Sequence, residues 1–183
     1  MVSTGLGCFI YSGTGSVTRI SVRENIIFAW KEENTVVSPV LWCRKMEKKI
    51  CVLYADDDAD DIEMFQEILR EIDRSILFLY AADGLQALRV LREAIVLPDI
   101  VFLDINMPLI NGKECLMEIR RDENLRTIPV VMYSTSSTEH EVVQCLELGA
   151  SDYLCKAVNY NKLREDLESI LKNLNSTKAY KIG

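Results

Sequence analysis

Short apolar runs alternate with longer amphipathic segments between residues 49 and 174. Five runs are almost wholly apolar and predict strands at 50–55, 76–80, 100–103, 130–133 and 153–155. In the segments that follow them, apolar residues recur every three or four positions and predict helices at 60–72, 84–95, 113–122, 138–148 and 161–174. The pattern therefore predicts strict alternation of strand and helix.

That alternation determines the predicted fold class, which is α/β. The strands are apolar at successive positions rather than at every second one, which indicates a parallel sheet covered by helices on both faces. Right-handed crossovers wind such a chain into an open, doubly wound sheet, here a three-layer sandwich. Ligands of these sheets bind at the carboxyl ends of the strands, so we expect functional side chains there.

The first 45 residues do not continue this pattern. They are rich in Gly, Ser and Thr over 1–16 and show no helical period. Met46, by contrast, is followed by Glu-Lys-Lys and an apolar run, which is a sequence typical of the start of a protein. We predict an extension at 1–45 that is disordered or not native, with a short functional arm as the alternative. The main domain is predicted at 46–175 and a short tail at 176–183, with no effector domain after it.

Charge is distributed unevenly along the chain. The net charge is −7, and residues 1–45 hold five basic and three acidic side chains, whereas the remainder holds 16 basic and 25 acidic ones. An acidic domain argues against nucleic acid as a direct partner, because duplex binding needs a basic surface. It is compatible with binding a cation.

The cysteines and apolar segments narrow the class of protein further. None of the six cysteines forms a Cys-x-x-Cys pair and His140 is the single histidine, so a zinc site is not indicated. We expect reduced thiols in a cytoplasmic protein. No apolar stretch reaches the ~18 residues of a membrane span, and the basic-then-apolar pattern of a signal peptide is missing.

Charged and polar residues stand where four of the predicted strands end. Asp56 and Asp57 follow the first strand, Asp104 the third, Ser134 the fourth and Lys156 the fifth. Carboxylates that converge at one edge of a sheet repel each other unless a cation neutralises them, and oxygen ligands favour Mg²⁺. With a lysine and a hydroxyl opposite, the sequence predicts a site for a phosphoryl group.

These residues, in this order, resemble the receiver domain of two-component response regulators, of the single-domain, CheY-like type. The resemblance spans about residues 49–173. Its motifs are the pair Asp56-Asp57, the run Asp104-Ile-Asn-Met-Pro, the hydroxyl of Ser134, and Lys156 with Tyr153 three residues before it. It implies a flavodoxin-like sheet with strand order 2-1-3-4-5.

The resemblance also implies a role for each residue at the predicted metal site. Asp104 would be the phosphoacceptor and a ligand of Mg²⁺. Asp57 would be a direct ligand, Asp56 would hold metal-bound water, and Asn106 would contribute its backbone carbonyl. Lys156 would pair with the phosphoryl oxygens.

Two further residues are implied to detect the phosphoryl group. Ser134 would hydrogen-bond it, and Tyr153 would turn inward to fill the space vacated, which is a two-state switch. Asn106 and Ser136 stand at positions that tune how fast phosphate is lost. The sequence departs from the family at Ala157, where a proline usually follows the lysine. A cis bond before alanine costs ~3 kcal/mol, so either the site holds one or the loop is trans.

The implied function is to accept a phosphoryl group from a histidine kinase or a histidine phosphotransfer protein. Such a domain catalyses only its own phosphorylation and dephosphorylation, so it is not an enzyme in the usual sense. Output would pass to an unknown downstream protein through a change of partner, with homodimer formation on phosphorylation as one form.

Other interpretations stay open from the residues. A receiver-like adaptor would bind partners without phosphorylation, as the departure at Ala157 allows. A haloacid dehalogenase-type phosphatase would use Asp56 as nucleophile and Asp58 as acid. The acidic run also partly matches a calcium-binding loop, but Asp61 stands where that loop needs glycine. Asp60 and Asp61 are interpreted as first-turn acids that favour the helix dipole.

Overall fold

The computed structural model describes residues 7–11, 17–23, 26–30, 50–156 and 159–179. The strands in these ranges are β1 (Gly7–Tyr11), β2 (Val17–Arg23), β3 (Ile26–Trp30), β4 (Cys51–Ala55), β5 (Leu77–Ala81), β6 (Ile100–Leu103), β7 (Val130–Ser134) and β8 (Asp152–Cys155). The helices are α1 (Ala59–Ile72), α2 (Gly84–Glu93), α3 (Gly112–Arg121), α4 (Glu139–Glu147) and α5 (Tyr160–Ala179).

Five of the strands form one parallel sheet in the order β5-β4-β6-β7-β8. Counted from β4 as the first strand, this order is 2-1-3-4-5, so the predicted α/β fold and its doubly wound topology are confirmed. Each strand is joined to the next by a helix, which is the connection that parallel neighbours require.

Two apolar clusters lie on opposite faces of this sheet and define the layers. One cluster packs the sheet against α2, α3 and α4, through residues such as Leu88, Leu116 and Cys145. The other packs it against α1 and α5, through residues such as Phe65 and Leu167. Successive residues of a strand enter different clusters, which explains why the strands are apolar at every position.

Helices α1, α2 and α3 begin after a residue whose side chain caps them. The carboxylate of Asp58 accepts hydrogen bonds from the backbone nitrogens of Asp60 and Asp61 at the start of α1. Asn111 and Glu114 form a reciprocal capping box at the start of α3. No helix in the described ranges is both long enough and apolar enough to cross a membrane.

Two predicted boundaries were wrong. Helix α2 ends at Glu93, and Ile95, which the sequence predicts to be inside the helix, lies beyond its end and is 58% exposed. Helix α5 continues to Ala179, so the predicted tail at 176–183 begins inside it. In both cases the last apolar residue was a poor guide, because a helix ends where its backbone hydrogen bonds end.

The predicted extension contains regular structure in three places. Strands β1, β2 and β3 pair as an antiparallel sheet in that order, which differs from the expectation of disorder for those residues. Strand β2 does alternate Ile20 and Val22 with Arg19, Ser21 and Arg23, a two-residue period that favours a strand. The rest of 1–49 lies outside the described residues, and the nativeness of 1–45 stays a prediction.

The aromatic cluster around Phe65 provides a test of the core. Phe65 is fully buried and its ring stacks on Tyr54 with 4.3 Å between centroids. We expect Phe65→Ala to lower the free energy of unfolding by about 3–5 kcal/mol, because it leaves a cavity among packed rings. Urea denaturation followed by circular dichroism measures this. The matched control is Glu63→Ala, an exposed change in the same helix, which should stay within about 0.5 kcal/mol of the parent.

Candidate functional site

Backbone hydrogen bonds between neighbouring strands fix the residues at the carboxyl end of the sheet. The nitrogen of Asp56 donates to Ala81 at 3.0 Å, and that of Asp104 donates to Ala55 at 2.9 Å. The nitrogen of Lys156 donates to the carbonyl of Ser134 at 2.7 Å. The hydrogen bonding of the sheet therefore extends to each of these residues just beyond a strand end. The sheet thus fixes the backbone position from which each side chain projects.

Lys156 is the charged centre of this edge. Its ammonium lies 2.6 Å from Asp56 Oδ2, 2.8 Å from Asp61 Oδ2 and 3.0 Å from Asp104 Oδ1. The lysine side chain is 12% exposed. Burial alone would lower the pKa of Lys156, but hydrogen bonds from its ammonium to the three carboxylates raise it above its ordinary value. The ammonium therefore stays charged.

Asp56 is almost completely buried, and both of its carboxylate oxygens have donors. Oδ1 accepts from the backbone nitrogen of Asp58 at 3.0 Å, and Oδ2 accepts from the hydroxyl of Tyr54 as well as from Lys156. Burial, together with the charge of Asp56, raises the pKa of the Tyr54 hydroxyl. The tyrosine is thus held as a donor, and the carboxylate is fixed in orientation.

Asp104 lies at the end of β6 and is 4% exposed. Besides its contact with Lys156, its Oδ2 accepts from the backbone nitrogen of Asn106 at 2.5 Å. Burial raises the pKa of Asp104, and the hydrogen bond with Lys156 opposes that rise. A buried carboxylate with a raised pKa destabilises the folded state when it ionises.

The loop after Asp104 returns tightly onto the same backbone. A Cβ at Gly112 would lie 2.0 Å from the carbonyl oxygen of Asp104, so only glycine fits there. Within the loop, the nitrogen of Ile110 donates to Pro108 at 2.8 Å across Leu109, whose φ is +65°. That is a strained three-residue turn for a residue with a side chain. Helix α3 therefore starts directly against the residue that the sequence marks as the acceptor.

Asp56, Asp57 and Asp104 can each offer a carboxylate oxygen within 4.8 Å of the others. With Asp61, four carboxylates lie at this edge, and three of them (Asp56, Asp61 and Asp104) contact the ammonium of Lys156. An excess of negative charge at a mostly buried site, presented through hard oxygen donors, fits a divalent cation such as Mg²⁺.

A second set of contacts links Ser134 to Tyr153. Ser134 is fully buried at the end of β7, and its Oγ accepts from the nitrogen of Ser136 at 3.3 Å. The hydroxyl of Tyr153 donates to the carbonyl of Ser136 at 2.7 Å, and its half-buried ring packs against the core. The loop after β7 is thus held between the predicted hydroxyl and the predicted aromatic residue.

The same loop is connected to α3 and α4 by charged side chains. Hydrogen bonds from Ser136 and then Lys113 lower the pKa of Glu141, which is in the first turn of α4. Lys113 at the start of α3 lies 3.0 Å from Glu141 and 2.8 Å from Gln144. The helix after Asp104 and the helix after Ser134 are therefore bridged by one ammonium.

The structure brings together Asp56, Asp57, Asp104 and Lys156. Ser134 and Tyr153 both contact the loop after β7 through Ser136. Two contacts of the site are not predicted from the sequence. They are the contact of Asp61 with Lys156 and the hydrogen bond from the Tyr54 hydroxyl to Asp56. Asp61 is in the first turn of α1, where the sequence predicts only a favourable interaction with the helix dipole. Ala157 lies outside the described residues, so the geometry of its peptide bond stays a prediction.

Neither of two rival interpretations of the acidic run fits the geometry. Asp58 would be the acid of a phosphatase or a ligand in a calcium loop, but it is exposed and its carboxylate caps α1. Asp60 is exposed on the first turn of that helix, and Asp61 turns toward Lys156 instead.

Comparison with known proteins agrees with this geometry. The family model described as the response regulator receiver domain matches residues 52–168. The chain belongs to this family. The structure of a phosphorylated cyanobacterial phytochrome response regulator, RcpA, superposes on this receiver domain with a TM-score of 0.65 at 30% identity, covering 71% of this chain and 96% of that one. The Mn²⁺-bound form of the response regulator Rcp1 gives a TM-score of 0.60 at 30% identity, covering 66% and 91%.

Similar receivers differ in how much of their length this chain covers. The response regulator Rcp1 of Synechocystis sp. is 33% identical over 126 residues, which are 65% of this chain and 84% of that protein. The chemotaxis protein CheY-3 of Vibrio cholerae is 30% identical, over 63% of this chain and 89% of that protein. The probable transcriptional regulator ycf27 of Guillardia theta is 31% identical over 71% of this chain, which spans 48% of its length.

The raised pKa of Asp104 leads to a stability prediction. Its folded-state pKa lies above the unfolded value, so protonation favours folding at low pH, and that stability is lost as the pH rises through the folded pKa. In the presence of a metal chelator at pH 7, we expect Asp104→Asn to raise Tm by about 2–4 °C, which corresponds to a gain on the order of 1 kcal/mol in the free energy of unfolding. The gain should shrink as the pH falls toward 4.

Differential scanning calorimetry of the two proteins at several pH values measures this effect. Asp60→Asn removes an exposed acid nearby and serves as the control, with little change in Tm expected. A lower Tm for Asp104→Asn at pH 7 would contradict the assignment of Asp104 as an insufficiently neutralised charge.

Proposed function

We propose that this receiver domain accepts a phosphoryl group on Asp104 from a phosphorylated histidine of a histidine kinase or a histidine phosphotransfer protein. The observation that carries the proposal is the position of the Asp104 carboxylate. It lies at the carboxyl end of the sheet, 3.0 Å from the Lys156 ammonium and next to Asp56 and Asp57. Membership of the receiver family supports the same assignment.

The transfer exchanges one bond to phosphorus for another. A carboxylate oxygen of Asp104 attacks the phosphorus and forms a P–O bond, while the P–N bond to the donor imidazole breaks and the nitrogen leaves with the electron pair. Asp104 has to be ionised to attack, and the charge of Lys156 favours that form. The ammonium of Lys156 can also neutralise charge on the phosphoryl oxygens as they arrive.

The acidic residues would hold Mg²⁺ beside the acceptor. In our proposal Asp57, Asp104 and the backbone carbonyl of Asn106 are direct ligands, and Asp56 acts through a water molecule. When bound, the ion supplies positive charge that offsets both the carboxylates and the phosphoryl oxygens. The related Rcp1 structure is an Mn²⁺-bound form, which supports a divalent cation at a site of this kind.

Detection of the phosphoryl group is assigned to Ser134 and Tyr153. The hydroxyl of Ser134 would hydrogen-bond the phosphoryl group, and the Ser136 loop, which also contacts Tyr153, would carry the change to the surface formed by β7, β8 and the helices after them. Asn106 and Ser136 would tune the lifetime of the phosphoryl group.

We further propose that output occurs through a change of protein partner in the cytoplasm. Nucleic acid is not a direct ligand in this proposal. The matches to Rcp1 and CheY-3 span most of those two proteins, and the stand-alone character of this receiver is part of the proposal. The domain would catalyse only its own phosphorylation and dephosphorylation. A homodimer formed on phosphorylation is one form that the change of partner can take.

A phosphodonor assay tests this function. The protein is incubated with acetyl phosphate and Mg²⁺, and intact mass spectrometry follows the gain of one phosphoryl group. We expect the gain in the parent, its loss with a chelator, and its loss in Asp104→Asn because the nucleophile is gone. Asp60→Asn is the control and should be modified as the parent is.

Two results would overturn the proposal. Failure of the parent to gain a phosphoryl group would favour the phosphorylation-independent adaptor, and a gain that persists in Asp104→Asn would place the acceptor elsewhere. Size-exclusion chromatography of the modified protein shows in the same experiment whether a dimer forms.

A further inference from the structure

Lys156 has a carboxylate partner outside the group that could hold a cation. Asp56 and Asp104 belong to the cluster whose oxygens lie within 4.8 Å of one another, and the cluster's third member is Asp57. Asp61 is not in that cluster, yet its Oδ2 lies 2.8 Å from the lysine ammonium. It stands in the first turn of α1, with its side chain 31% exposed at the side of the site.

A cation at the cluster changes the surroundings of Lys156. Two of the three carboxylates that surround the ammonium would then have a divalent partner, and the cation itself would repel the ammonium across a few ångströms. The lysine side chain is 12% exposed, and its Nζ lies 5.6 Å from the centroid of the Tyr133 ring. An ammonium without a close anion there would be costly.

We infer that Asp61 is a positioning residue for Lys156, which holds the ammonium when Asp56 and Asp104 are engaged by a cation and a phosphoryl group. This inference rests on the function proposed above and identifies a residue that this function needs. Asp61 reduces the repulsion between the cation and Lys156, and it keeps the ammonium within reach of Asp104. The contact acts through Lys156, so its effect disappears when the lysine charge is removed.

A double-mutant cycle on cation binding tests the inference. Mg²⁺ dissociation constants are measured by isothermal titration calorimetry for the parent, Asp61→Asn, Lys156→Met and the double variant. We expect Asp61→Asn to weaken binding roughly tenfold in the parent, because Lys156 then stays on Asp56 and Asp104 and competes with the ion. In the Lys156→Met background the same change should have an effect of less than about twofold.

A matched variant separates this contact from the general negative charge of the region. Asp60→Asn removes the same charge from the same helix turn, but Asp60 is exposed, so its effect should stay within about twofold. Equal weakening by Asp60→Asn and Asp61→Asn would overturn the inference. Weakening by Asp61→Asn that persists in Lys156→Met, or no measurable Mg²⁺ binding by the parent, would overturn it as well.

The rate of phosphorylation by acetyl phosphate at saturating Mg²⁺ gives the second measurement. We expect phosphorylation of Asp61→Asn to be roughly tenfold slower than that of the parent. Phosphorylation of the double variant should be no slower than that of Lys156→Met alone. If the parent is not phosphorylated but the binding cycle shows the coupling, the proposed function fails and the positioning role stands. If the parent is phosphorylated and Asp61→Asn behaves as Asp60→Asn, the positioning role fails alone.

Discussion

The contact of one ammonium with three carboxylates is the interaction on which the rest of the site depends. Lys156 lies within 3.0 Å of oxygens from Asp56, Asp61 and Asp104, and two of these acids are almost fully buried. Buried carboxylates repel one another, and the loss of hydration adds to that cost. The shared lysine offsets part of the cost and leaves an excess of negative charge. The same imbalance that limits stability makes the site suited to a divalent cation.

The register of the parallel strands determines where the side chains of the site lie. Because β4, β6, β7 and β8 all end at one edge, residues far apart in sequence start their side chains from neighbouring points. Hydrogen bonds from the nitrogens of Asp56, Asp104 and Lys156 extend the ladder to those points. A slip of one residue would turn each side chain to the other face. The close fit of Gly112 against the Asp104 carbonyl extends the same constraint into the loop, so Asp104 is held from both sides.

The fold and four of the site residues could be predicted because each depends on local pattern and topology. Asp56, Asp57, Asp104 and Lys156 directly follow apolar runs, so the alignment of parallel strands alone brings them to one edge. The role of Asp61 could not be predicted, since an acid in a first helical turn is favourable wherever it points. Its direction depends on how α1 packs, which is set by Phe65 and its ring contacts in the core. The positive φ of Leu109 could not be predicted for a related reason, because strain held by surrounding packing leaves no mark on the local sequence.

Asp56 and Lys156 are 100 residues apart in the chain, and this distance has a consequence for synthesis on the ribosome. The acids of β4 and β6 emerge first, and the lysine that neutralises them follows β8, the last strand of the sheet. Until β8 pairs with β7, the acids lack this counter-charge and β7 presents an open edge of the sheet. A receiver domain without β8 therefore carries both an uncompensated acidic cluster and an open sheet edge, and pairing of β8 with β7 removes the two together.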